Sequence, residues 1–178
     1  MLWCLHSLRM LNALSERVPA ANSQNGCRGV SVEEYDLNRF LQAQAQEYNG
    51  YKAALAEIRR GRKERHWMWY IFPQLRGLGR SAASFHYAIA DIHEAKAYFA
   101  DPVLGSRLVE ISECLLLPET DDPCTVFGCP DDMKLRSCMT LFREAAPECD
   151  VFQKVLNKYF AGKPDPKTLQ ILKEQGPA

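Results

Sequence analysis

Between Arg62 and Ser81 the chain runs through His66-Trp67-Met68-Trp69-Tyr70-Ile71-Phe72-Pro73-Gln74 and then Leu75-Arg76-Gly77-Leu78-Gly79-Arg80-Ser81. Two of the 3 Trp residues fall in this tract. Each large aromatic hides roughly 150–250 Å² when buried, so a fold that left them in water would discard its strongest driving force. The tract is therefore expected at the centre of the core, with its polar members forming the functional surface where they emerge. Trp67 to Phe72 is long enough for a buried strand, but no other stretch alternates at period two to pair with it. A short helix or a buried extended segment is preferred. Pro73 lacks an N–H and biases Phe72 away from helical angles, so the element ends there. Gly77 and Gly79 admit a tight turn, and Ser81 is placed to cap the helix that follows.

The flanking sequence is helical in period throughout. Asp36 is read as an N-cap, followed by Leu37, Phe40, Leu41, Gln44 and Tyr48 on one stripe, with a stop at Asn49-Gly50. Tyr51, Ala54, Leu55 and Ile58 form a second stripe, packed on the first as a hairpin. Ser81, Asp91, Asp101, Asp150 and Asp165 each precede a further apolar stripe, and Pro130-Asp131-Asp132 opens another with two carboxylates at the positive end of its dipole. Pro118 to Pro123 reads as a polar loop. The expectation is an all-α fold: one compact multihelical orthogonal bundle of about eight helices over residues 35–175. Residues 1–34, Leu-rich with Arg and then Ala-, Asn-, Ser- and Gly-rich, read as a flexible extension or an import presequence.

At 178 residues there is material for one domain with a substantial core. The 22 basic and 22 acidic residues cancel, which argues against a global attraction to nucleic acid or to anionic membrane. Placement is uneven: seven basic side chains lie from Arg59 to Arg80 against Glu64 alone, and ten acidic ones from Glu110 to Asp150 against Lys134, Arg136 and Arg143. These segments either face each other or create a local anion site. No apolar run is long enough to span a bilayer. Seven cysteines without CxxC or framework spacing suggest reduced thiols in a cytoplasmic protein, with organellar import only if residues 1–34 direct it. No metal site and no cofactor are expected.

The ordered motifs His66-Trp67-Met68-Trp69, Ile71-Phe72-Pro73-Gln74-Leu75 and Gly77-Leu78-Gly79-Arg80-Ser81 resemble the signature of the domain of unknown function 1810 family. So do Asp101-Pro102-Val103-Leu104-Gly105, Phe127-Gly128, Pro130-Asp131-Asp132 with Lys134-Leu135-Arg136-Ser137, and Pro164-Asp165-Pro166. The resemblance covers about Tyr35 to Leu172 and implies a small all-helical domain. It implies no reaction.

The residues themselves suggest where a ligand would sit. Arg76 and Arg80 flank a glycine turn entering a helix, an arrangement suited to phosphate or carboxylate, although a lone GxG without a Walker lysine is a weak motif. His66 is either an acid–base group or a packed histidine bonded to a carbonyl. Trp67 and Trp69 either stack on a ligand or fill the core, and Gln74 either ties a loop or reads a ligand. Asp131, Lys134 and Arg136 either cap and bridge or face the arginines. The resulting expectation is a small anionic metabolite or nucleotide site built from His66, Trp67, Trp69, Gln74, Arg76, Arg80, Asp131, Lys134 and Arg136. The alternatives are a non-catalytic module binding an acidic protein through Arg59 to Arg65, and single-stranded nucleic acid binding.

Overall fold

The computed structural model describes residues 35–176, and the readings made for residues 1–34 lie outside them. Ten helices follow one another: α1 (Asn38–Ala45), α2 (Tyr51–Arg59), α3 (Met68–Ile71), α4 (Ala82–His86), α5 (Ile92–Ala100), α6 (Leu104–Cys114), α7 (Pro123–Phe127), α8 (Asp131–Ala145), α9 (Val151–Phe160) and α10 (Pro166–Gln175). Among the described residues there is no strand. A single parallel bridge joins Leu75 to Ile89, where Arg76 N donates to Ile89 O at 2.8 Å and Ile89 N to Gln74 O at 2.9 Å. The fold is all-α as expected. It exceeds the expected helix number by α3, the short turn made by the aromatic tract, and by α7, which begins at Pro123, the last residue of the segment read as a loop.

Several helix starts follow from single carboxylates or hydroxyls. Asp91 accepts the N–H of His93 and Glu94 at 2.8 and 2.9 Å, Asp101 those of Val103 and Leu104 at 2.9 Å each, and Asp165 that of Thr168 at 2.9 Å. Ser81 accepts Ser84 N at 3.1 Å. Each satisfies donors that a helix terminus cannot pair internally. Two expected caps do not form. Leu37, not Asp36, precedes α1 and gives no side-chain cap, and Asp150 turns to Lys154 instead. The Asn49-Gly50 stop also moves: α1 ends at Ala45, and extended Gly50 opens α2.

The helix around which the others close is α8, which packs against α5, α7, α9 and α10. It buries Leu135, Cys138, Met139, Leu141 and Phe142 on nearly its whole circumference, the pattern of a central helix. The aromatic tract shares the core, with Trp67, Met68, Tyr70, Ile71 and Phe72 buried, but it lines the bundle instead of forming its axis. Trp67 sits against Phe72 and Phe127 at ring-centroid distances of 6.2 and 6.4 Å.

One buried charge organises the approach to the tract. Glu57 of α2 is 0% exposed. Its Oε2 accepts Glu64 N at 2.7 Å, Arg65 N at 3.1 Å and the Trp67 indole N–H at 2.8 Å, while Oε1 accepts Arg65 Nη1 at 2.6 Å. Burial alone would raise its pKa. The two backbone donors, the indole and the guanidinium more than offset this, leaving the carboxyl below its ordinary value. Glu94 of α5 is a second example, pairing with Arg39 at 2.5 Å and accepting Ala90 N at 2.6 Å.

Candidate functional site

Three segments far apart in sequence meet at one cavity of about 530 Å³: Trp69 to Ser84, Pro130 to Ser137 at the start of α8, and Asp165 to Lys167 at the start of α10. The geometry begins at α3. Successive helical residues turn by about 100°, so Trp67 and Trp69 leave the backbone on opposing sides. Trp67 goes into the core, whereas Trp69 is half-buried and lines the cavity. Gly77 then turns the chain at φ 100°. Gly79 must lack a side chain because a Cβ there would lie 2.3 Å from Ser84 Cβ, and this close approach brings Arg80 and Ser81 onto the rim.

Of the nine residues proposed from sequence, Trp69, Gln74, Arg80, Lys134 and Arg136 line the cavity. The other four do not. His66 is exposed outside it, which corrects the reading of a packed, carbonyl-bonded histidine. Trp67 donates its indole N–H to Glu57. Arg76 is exposed and lies outside the cavity. Asp131 stands one step behind it, bonded to Lys134 at 2.6 Å and to Lys63 at 2.8 Å. Sequence reasoning missed Ser84, Met133, Ser137, Asp165 and Lys167. The last two come near Trp69 only because α10 crosses α8, which no local pattern encodes.

The lining is electropositive. Lys134 Nζ lies 4.8 Å from the Trp69 ring centroid, a cation–π distance. Asp131 compensates Lys63 and Lys134 together, so this triad retains one net positive charge. Burial would raise the Asp131 carboxyl, but the two ammonium groups prevail and hold it below its ordinary value. Arg136 is fixed by carbonyls, with Nε to Lys163 O and Nη2 to Pro164 O at 3.1 Å each. Carbonyls leave its charge uncancelled. Arg80 and Lys167 are exposed and make no ion pair among the described residues. Asp165 is the one acid in the wall.

The basic run upstream has a different fate. Arg59 pairs with Glu110, Arg60 with Glu64, Lys63 with Asp131 and Arg65 with Glu57. The basic and acidic segments thus do meet, through Arg59–Glu110 and Lys63–Asp131, and Arg62 is left as the one unpaired cation of that run among the described residues.

Among the described residues, Cys124 Sγ, Cys129 Sγ and an Asp132 carboxylate oxygen lie within 4.8 Å of one another. Cys124 and Cys129 are joined as a disulfide, Cα atoms 5.6 Å apart, which corrects the expectation of reduced thiols throughout. Thiolates are the form that ligates metal, so the bonded pair offers none. Alkylation of the unfolded, unreduced protein is expected to spare Cys124 and Cys129 in peptide mass analysis. Labelling of both would show the pair to be reduced. No helix among the described residues is long and apolar enough to cross a membrane.

Comparison with known proteins places this arrangement in context. Residues 34–172 match the model of a family described as protein of unknown function (DUF1810). The crystal structure of the conserved hypothetical protein Rv1873 from Mycobacterium tuberculosis is similar at a TM-score of 0.74 and 42% identity, covering 78% of this chain and 96% of that one. No curated protein matches the chain.

Proposed function

The chain belongs to the DUF1810 family, and on that premise we propose that it binds a small anionic metabolite, phosphorylated or carboxylated, in the cavity between α3, α8 and α10. The observation that carries this reading is charge placement. Arg80, Lys134, Arg136 and Lys167 surround one concave space whose wall holds a single acid, Asp165, while Asp131 behind it is shared between Lys134 and Lys63. A half-buried indole in the same wall supplies a flat apolar face for the uncharged part of the ligand, the combination of apolar lining and few polar groups expected of a ligand pocket. A nucleotide satisfies both requirements. The competing readings, an acidic protein partner or single-stranded nucleic acid docking along Arg59 to Arg65, are weakened because four of those five side chains already have an acidic partner within the chain.

The test is a thermal-melt screen of nucleoside monophosphates, sugar phosphates and dicarboxylates. A ligand at a hundred times its Kd stabilises by about 2.7 kcal/mol, which is readily measured. Arg80→Ala combined with Lys167→Ala is expected to weaken that ligand at least tenfold while changing stability by less than about 0.5 kcal/mol, since both side chains are exposed and unpaired. Arg76→Ala, outside the cavity, is expected to leave affinity unchanged. A screen in which no anion raises the melting temperature removes the proposal.

A further inference from the structure

Asp165 forms part of the cavity wall and is only 4% exposed. Its hydrogen bonds are distributed unevenly. Oδ2 accepts Ser137 Oγ at 3.2 Å, Thr168 N at 2.9 Å and Thr168 Oγ1 at 2.7 Å, while its backbone N–H donates to Thr140 Oγ1 at 2.7 Å. Thr140 in turn donates to Arg136 O at 2.8 Å. Four bonds therefore fix this residue to α8 and α10 before any ligand arrives, and a fifth anchors Thr140. Oδ1 accepts nothing among the described residues, and it is not among the solvent-shielded polar atoms left without a partner. In a wall-forming residue this is the oxygen left open to the cavity.

Capping α10 through Oδ2 leaves Oδ1 without a donor, so an acceptor stands free inside an otherwise cationic wall. For an anion alone this oxygen would be repulsive. It becomes favourable when the bound compound also carries a hydrogen-bond donor, because a carboxylate accepts charge-assisted bonds about twice as strong as neutral ones. We infer that the ligand is bifunctional: an anionic group held by Arg80, Lys134 and Lys167, and a hydroxyl or amino group donated to Asp165 Oδ1. This rests on the reading of the cavity as an anion site. It excludes inorganic phosphate, simple dicarboxylates and alkyl phosphates as good ligands. It favours hydroxylated phosphates such as sugar phosphates and nucleotides, or their amino counterparts.

Matched pairs measured by calorimetry on the full chain decide it. Ribose 5-phosphate is compared with n-pentyl phosphate for the hydroxyl arm, and O-phosphoethanolamine with ethyl phosphate for the amine arm. The expected result is that in at least one pair the donor-bearing member binds tenfold or more tightly, and the better pair identifies the donor. Asp165→Asn is expected to remove that preference and, by lifting the repulsion, to bind the donor-free member at least as tightly as the unmodified protein does. If both members of each pair bind equally, this inference fails and the anion site stands. If none of the four binds, the anion site itself fails. Should Asp165→Asn not fold, the unmodified protein's pairwise preference alone upholds or overturns the inference.

Discussion

Glu57→Ala is expected to destabilise the protein by about 3–5 kcal/mol, the range for removing one member of a buried charged network. The substitution strands Glu64 N, Arg65 N, the Trp67 indole N–H and the Arg65 guanidinium around an empty space. At neutral pH this corresponds to a fall in melting temperature of about 10 °C or more. The pH dependence has a definite sign. The folded carboxyl titrates below its ordinary value, so its contribution is complete above the unfolded pKa, about 4.3, and is lost as pH falls through the lower folded value. The gap between wild type and Glu57→Gln measured in urea should therefore be full at pH 7 and shrink below about pH 4. Equal stability of wild type and Glu57→Ala at pH 7 would show that the network contributes nothing.

Gly105→Ala should be nearly as damaging, against the usual trend. Within a helix this exchange ordinarily gains about 1 kcal/mol. At Gly105, in the first turn of α6, a Cβ would lie 2.0 Å from Phe99 O and 2.9 Å from Phe99 C. Both atoms are backbone of α5 and cannot rotate away, so the two helices must separate and loosen the core beneath them. Overpacking typically costs about 1–3 kcal/mol. The upper end is expected here because no flexible group can yield. Denaturation of the variant in urea checks this, and a variant as stable as the parent would refute the close-contact argument.

The same Asp-Pro pair that begins α10 also shows where sequence reading worked and where it stopped. Asp101-Pro102 and Asp165-Pro166 signal helix starts because a carboxylate accepts free N–H groups and proline needs none. Asp122-Pro123 carries the identical signal, and Asp122 accepts Cys124 N at 3.0 Å. The helix it opens is not legible from sequence, because α7 is only 5 residues long and shows no apolar period. Glu57 was illegible for a different reason. It lies among Tyr51, Ala54, Leu55 and Ile58 on α2, and nothing nearby announces that residues 64–67 will fold back with four donors. The cavity was legible in part. Trp69, Gln74 and Arg80 emerge from one unusual tract, and Lys134 and Arg136 from one helix start. Arg76 and Arg80 flank the same glycine turn in sequence, but only Arg80 lines the cavity. Asp165 read purely as a cap, since its second oxygen acquires meaning only when α10 crosses α8.

That crossing has a consequence for how the protein opens. Thr168 is the one fully buried residue of α10; Ile171 and Leu172 pack only partly buried against the core, and the Ser137–Asp165–Thr168 clasp fastens the first turn. Segments with so little buried surface are the ones that detach first in native-state fluctuations. Because the clasp and the cavity wall share Asp165, each excursion of α10 dismantles the wall of the proposed site. A bound molecule would act as a splint, and slowed amide exchange along α10 would be its mark.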